Sequence, residues 1–157
     1  MIRPPNTHIY AVEVEWSAPE GTADYATYPR AHLLSSAATQ SIAATADPHF
    51  GGDPALWNPE QLLVAAAANC HMLSYLALCA RRGVVVLDYV DAATGTMTET
   101  PGAGGRFTAI ELRPRVTVRA GTDVELARAL HRDAGEQCYI AASLNLPVSH
   151  EPVIVTE

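Results

Sequence analysis

The chain has 157 residues, of which 48% are apolar, and its 17 acidic and 10 basic side chains give a formal net charge of −7. Such a composition favours a folded chain over a disordered one. The length suits a single domain over residues 1–157, or one subunit of an interlocked dimer. The acidic balance argues against nucleic-acid binding, which needs a basic surface.

The three cysteines have no regular spacing, which argues against a disulfide scaffold of the secreted type. The segment 1–6 lacks the apolar stretch of a signal peptide. We therefore expect a cytoplasmic, reducing location. In that setting a pair of cysteines is catalytic, redox-active or metal-binding more often than structural.

The first predicted elements are the N-terminal strands within 8–46. Apolar residues alternate over 8–16, which predicts a half-buried strand with Tyr10, Val12, Val14 and Trp16 on one face. Residues 25–34 are expected to be extended, and residues 40–46 to form a further short strand. Short turns between them predict an antiparallel meander.

A long central helix is predicted over 59–82. Asn58 and Pro59 form a helix start, and Gly83 follows two terminal arginines. The segment 62–80 lacks charged residues and is long enough to span a bilayer. However, polar side chains are costly in a membrane, and Asn69, His71 and Ser74 lie in its middle. A helix buried in protein, without a membrane partner, is the favoured interpretation.

After the central helix, strands are predicted over 84–119, a second helix over 123–138 and a C-terminal strand over 148–155. One strand, 107–119, should bury a face made of Ile110, Leu112, Val116 and Val118. The second helix should bury the row Leu126, Leu130, Ala134 and Cys138. This order of elements predicts an α+β fold. Since one small sheet covers only part of a long apolar helix, a dimer is attractive.

The three cysteines differ in their predicted positions. Cys70 and Cys79 lie nine residues apart on the central helix, so they point to opposite sides. Cys138 could reach Cys70 if the two helices pack together. The alternative is that all three are small buried apolar residues. We favour that interpretation for Cys79 and leave both open for Cys70 and Cys138.

Two segments carry a resemblance to a known family. The first comprises NPEQLL at 58–63 and AAANCHM at 66–72, and the second is HRDAGEQCYIA at 131–141. Both segments, and the spacing between them, resemble the signatures of the OsmC/Ohr family. The resemblance implies an OsmC-like fold, with antiparallel sheets wrapped around long central helices in an intertwined homodimer. It also implies active sites at the subunit interface and peroxidase activity that protects against oxidative stress.

By that resemblance, Cys70 attacks an organic hydroperoxide and Cys138 resolves the oxidised sulfur. The family also uses a glutamate and an arginine beside the reactive thiol, and these map onto Glu60 and, as the best candidate, Arg30. An arginine would favour the thiolate and stabilise the leaving alkoxide, and a glutamate would hold the arginine. The resemblance suggests a dithiol reductant of the lipoyl type, and we expect no cofactor and no metal.

Three histidines and two other functions complete the sequence predictions. His71, next to the reactive cysteine, is interpreted as a core or interface residue rather than a base, and so are His32 and His131. One alternative function is a non-enzymatic module that binds a small hydrophobic ligand. Another is a metal site of Cys70, Cys138 and a histidine, although no metal-binding spacing is present.

Overall fold

The computed structural model describes residues 6–157, which contain nine strands and three α-helices. Residues 1–5, part of the segment without a signal-peptide pattern, lie outside the described residues. The helices are α1 (Pro59–Arg82), α2 (Val124–Gln137) and α3 (Tyr139–Ser143). The strands are β1 (Glu13–Glu15), β2 (His32–Ser35), β3 (Ile42–Ala44), β4 (Val86–Asp91), β5 (Thr94–Thr100), β6 (Gly104–Leu112), β7 (Pro114–Val118), β8 (Val148–His150) and β9 (Val153–Thr156). This content confirms the α+β class.

The chain forms two compact units, one ending at Pro59 and one comprising Glu60–Glu157. In the N-terminal unit, β1, β2 and β3 form an antiparallel sheet, which confirms the predicted meander. The strand predicted over 8–16 is wrong in length, since only Glu13–Glu15 pair with a neighbour. Its apolar face is also exposed, with Tyr10 at 90% and Val12 at 79% of full exposure. Alternation therefore marked an apolar face correctly, but residues 6–157 do not cover that face.

The segment 25–34, expected to be extended, begins with a turn instead. Asp24 accepts a hydrogen bond from the Tyr28 backbone N–H through its carbonyl (3.0 Å). Its carboxylate also accepts one from the Ala26 N–H (2.9 Å). These bonds fold the chain back, because aspartate stabilises turns through such local acceptors. Arg30 consequently lies before β2 rather than within a strand.

The C-terminal unit contains two three-stranded sheets, in the orders β4-β7-β9 and β5-β6-β8. The strand predicted over 107–119 is divided between them at Arg113. The Arg113 N–H donates to the Asp91 carboxylate (2.7 Å), and Pro114, which has no N–H, starts β7. The C-terminal strand predicted over 148–155 is likewise divided, by Glu151 and Pro152. As a result β8 pairs parallel with β6, and β9 pairs parallel with β7.

The core of the C-terminal unit confirms the apolar pattern of the sequence. The predicted strand face is fully buried: Ile110 (0%), Leu112 (1%), Val116 (0%) and Val118 (0%). On α1, the buried residues recur every four positions as Ala67, His71, Tyr75 and Cys79. This helix is long and apolar enough to cross a membrane by length and composition, and 22% of its most apolar window is buried. Most residues of the helix are therefore half-buried or exposed within a single chain.

The second predicted helix is interrupted at its last position. Asp123 caps α2 by accepting from the Leu126 N–H (3.0 Å). At Cys138 the backbone is extended (φ −75°, ψ 106°), and this residue caps α3. The reactive side chain proposed for this position therefore lies at a junction between two helices rather than inside one.

Candidate active site

Cys70 lies in the middle of α1 and is half-buried. It is a free thiol that retains some access to solvent, whereas Cys79 and Cys138 are both about 1% exposed. A nucleophile must be reachable by its substrate as well as held in place. Of the three cysteines, Cys70 meets that condition best.

Cys138 lies directly beside Cys70. Its thiol accepts a hydrogen bond from the Ala141 N–H at 3.4 Å. Burial raises the pKa of the Cys138 thiol, and the neighbouring Cys70 thiol raises it further, against the opposing effect of the Ala141 N–H. The structure thus brings together the two cysteines that the resemblance pairs.

Cys79 points into the apolar core of the C-terminal unit. It packs among Tyr75, Val84 and Leu130, and burial raises the pKa of its thiol. A protonated thiol in apolar surroundings is a poor nucleophile. The location agrees with the interpretation of Cys79 as a core residue.

Arg30, in the N-terminal unit, has a fixed guanidinium. Its Nη1 donates to the Tyr28 carbonyl (2.5 Å) and its Nη2 to the Tyr25 carbonyl (2.6 Å). The guanidinium carbon lies 3.8 Å from the centre of the Tyr28 ring, at cation–π distance. Gly51 (φ +81°) packs against it, and a Cβ there would lie 3.3 Å from the guanidinium carbon. This arginine is held rigidly, as preorganised charge requires.

Glu60 lies in the first turn of α1 and is half-buried. Its Oε2 atom is inaccessible to solvent and has no hydrogen-bond partner among the described residues. Along α1, ten residues separate Glu60 from Cys70, which corresponds to about 15 Å of helix. The structure therefore does not bring this carboxylate to the thiol of its own chain.

Three histidines form a cluster through contacts between their rings. The Nε2 atom of His71 lies 3.0 Å from Nδ1 of His131, and both rings are buried. Their burial agrees with the interpretation of both as core residues. Tyr75 stacks on His131, with ring centres 3.7 Å apart. His150 completes the cluster, with its ring centre 5.1 Å from that of His71.

Sequence reasoning missed His150. Its position depends on the parallel pairing of β8 with β6, in which Leu112 lies opposite His150. No local pattern predicts such a pairing, because it joins distant segments of the chain.

A cavity of about 260 Å³ lies next to this cluster, lined by His71, Arg132, Gly135, Glu136, Cys138, Ala141, Val148 and His150. Cys138, although only 1% exposed, is among its lining residues. Within residues 6–157, no three histidine, cysteine or acidic side chains are arranged so that they could hold a metal ion.

Known proteins share both the sequence pattern and the fold of this chain. A family model described as OsmC-like protein matches residues 51–152. A search of curated proteins gave no significant match. An OsmC-like protein of unknown function from Vibrio cholerae is 29% identical and has a TM-score of 0.84, over 94% of this chain and 100% of that one.

Two organic hydroperoxide resistance proteins share the fold. The one from Legionella pneumophila is 17% identical, with a TM-score of 0.67 over 94% of this chain and 98% of its own. The one from Elizabethkingia anophelis is 14% identical, with a TM-score of 0.68 over 97% of this chain and 100% of its own. Because the family model covers most of the sequence and agrees with these likenesses, the chain belongs to the OsmC-like protein family.

Proposed function

We propose that this protein is a thiol-dependent peroxidase that reduces organic hydroperoxides to alcohols in the cytoplasm. The observation that carries the proposal is the pair formed by an accessible Cys70 and a buried Cys138 whose thiols interact. The hydroperoxide resistance proteins that share its fold support the substrate class.

The reaction would begin at the more accessible sulfur. The Cys70 thiolate attacks the peroxide, the O–O bond breaks, and a sulfenic acid and an alkoxide form. The alkoxide takes a proton and leaves as the alcohol. Cys138 then condenses with the sulfenic acid, releasing water and forming a disulfide. An external dithiol, which we propose to be of the lipoyl type, reduces that disulfide by exchange.

The immobile guanidinium of Arg30 is suited to stabilising the thiolate and the alkoxide. Its Nη atoms are already bound to carbonyl oxygens, so it would contribute as a fixed positive charge. In this proposal Glu60 holds that charge in place, and its Oε2 atom, which has no hydrogen-bond partner in the described part of the chain, has the capacity to do so.

The separation of Glu60 from Cys70 supports the proposal of a homodimer in which each carboxylate serves the partner's thiol. A single chain cannot join them, because about 15 Å of helix lies between. The uncovered apolar surface favours the same conclusion: Tyr10, Val12 and Val14 are exposed, and most residues of α1 are half-buried or exposed. A contiguous group of exposed apolar side chains is typical of an interface between subunits.

The test of the chemistry is intact mass spectrometry after one equivalent of cumene hydroperoxide. Loss of two hydrogens, mapped by peptide analysis to a Cys70–Cys138 disulfide, is the expected result. Cys70→Ser should abolish peroxide consumption with a dithiol, whereas Cys138→Ser should stop after one turnover with Cys70 over-oxidised. Normal turnover by Cys70→Ser would refute the peroxidase.

The test of the shared site uses mixed dimers. Glu60→Gln and Cys70→Ser homodimers should each be inactive or nearly so. In the mixed dimer, one site combines an intact Cys70 with an intact Glu60 from the other chain, so activity should return to about half that of the wild type. If both parents are inactive, a mixed dimer as inactive as they are would show that Glu60 serves Cys70 in its own chain.

A further inference from the structure

The peroxidase chemistry proposed above uses four residues and gives the histidine cluster no role. His71 and His131 are 2% and 0% exposed, and their ring nitrogens face each other at 3.0 Å. Nε2 of His131 and Nδ1 of His150 are buried and have no hydrogen-bond partner among the described residues. Buried polar atoms cost free energy unless they are paired, so three histidines in one place suggest a role beyond packing.

The cluster opens onto Cys138 through the cavity that both share. His71, His150, Cys138 and Ala141 are all among the residues that line it. Gly135, three residues before Cys138 on α2, makes room for the third ring. A Cβ at Gly135 would lie 3.3 Å from Nε2 of His150, which is closer than most side chains tolerate.

We propose that His150, supported by the His71–His131 pair, accepts the thiol proton of Cys138 as that residue condenses with oxidised Cys70. The proposal rests on the peroxidase function and assigns its second step a base. His150 would be the proton-transfer residue, while His71 and His131 position it and orient its ring.

The step balances as follows. The S–H bond of Cys138 breaks, and its proton passes to a ring nitrogen of His150. The sulfur attacks Cys70, an S–S bond forms and the S–O bond of the sulfenic acid breaks. The departing hydroxide takes the proton from His150 and leaves as water. The histidine is neutral again at the end, and the oxidising electrons come from the hydroperoxide alone.

The protonation states of Cys138 and of the histidines explain why a base is needed and why a histidine can act as that base. Burial raises the pKa of Cys138, so its thiol is protonated at neutral pH. Burial also lowers the pKa of His150, and it lowers that of His71 to about 4, so both rings are uncharged at neutral pH and have a ring nitrogen that can accept a proton, while the lowered pKa makes each a weaker base than free imidazole. Arg132 and Glu136 from α2 also face the cavity, with opposite charges.

The test separates the two chemical steps in a single turnover. Wild-type protein, His150→Ala and a control, His49→Ala, are mixed with one equivalent of cumene hydroperoxide and quenched at intervals. His49 is an exposed histidine of the N-terminal unit. Mass spectrometry after dimedone trapping then counts sulfenic acid and disulfide separately, across pH 5.5–8.

In His150→Ala, oxidation of Cys70 should keep its wild-type rate, while condensation should slow by roughly 10²-fold, the lower end of what a positioned base contributes. Condensation should become steeply faster with rising pH, because the thiol must then ionise to solvent. Added imidazole should restore it, while pyrazole, a much weaker base of similar shape, should not. The His49→Ala control should behave as the wild type does.

Two results would overturn the inference while leaving the peroxidase intact. One is wild-type condensation in His150→Ala. The other is slow condensation that neither pH nor imidazole changes, which would indicate a structural role. Failure of the wild type to oxidise Cys70 at all would refute the peroxidase itself, and this inference with it.

Discussion

Lowering the pH from 7.5 to 5.0 should destabilise the fold by about 4 kcal/mol through the buried pair His71 and His131. Burial lowers the pKa of His71 from 6.5 to about 4 and that of His131 from 6.5 to about 3. For such groups the neutral form stabilises the fold. The contribution is therefore complete above pH 6.5 and is lost as the pH falls toward the folded-state values.

The magnitude follows from proton linkage. At pH 5.0 an unfolded histidine is almost fully protonated, whereas both buried rings remain neutral, so each contributes a loss of about 2 kcal/mol. His150 acts in the same direction, since burial lowers its pKa too. Asp91 acts in the opposite direction because burial raises its pKa. The measurement stops at pH 5.0, above the range in which most carboxyl groups titrate.

The assay is urea unfolding followed by circular dichroism at one protein concentration, since the stability of the proposed dimer would depend on concentration. In His131→Gln the loss between pH 7.5 and 5.0 should be about half that of the wild type. His49→Gln, which removes an exposed ring, should leave the loss unchanged. Equal losses in the wild type and His131→Gln would refute the assignment of the pH dependence to the buried pair.

Three further substitutions test single contacts. Gly51→Ala should strain a left-handed backbone position and displace the guanidinium of Arg30. Alkylation of Cys70 by iodoacetamide should therefore slow, and an unchanged rate would exclude Arg30 as the group that activates Cys70. Cys79→Ala should leave hydroperoxide turnover intact and lower the free energy of unfolding by roughly 1 kcal/mol, and lost turnover would contradict its placement in the core. Leu130→Ala should lower the free energy of unfolding by about 2–5 kcal/mol in urea titrations, because Leu130 is 1% exposed; a smaller cost would mean that the core collapses around the cavity.

Local signals predicted the central helix well. Pro59 starts it, and Gly83 follows its last residue with the positive φ (+74°) that glycine adopts easily. The strand at 8–16 was mispredicted for a different reason. Alternation of apolar residues tells which face is apolar, but it does not tell what covers that face.

The candidate site depended more on resemblance than on pattern. Nothing in the spacing of Cys70 and Cys138 requires their thiols to meet, and the family signatures supplied that pairing. Glu60 was expected beside Cys70, but its place on the same continuous helix puts it about 15 Å away. His150 could not be found at all from the sequence, since a parallel strand pair brings it to His71.

The parallel pairing of the last two strands has a consequence for how the protein is made. During synthesis β6 and β7 emerge well before β8 and β9. Both sheets of the C-terminal unit therefore lack their third strand until the end of the chain has been made. Contacts between such distant segments form slowly. His150 arrives with β8, so a nascent chain carries Cys70, the proposed nucleophile, before the histidine cluster is complete. The growing chain therefore passes through a stage in which the proposed nucleophile is present and the proposed base for the second step has yet to be translated.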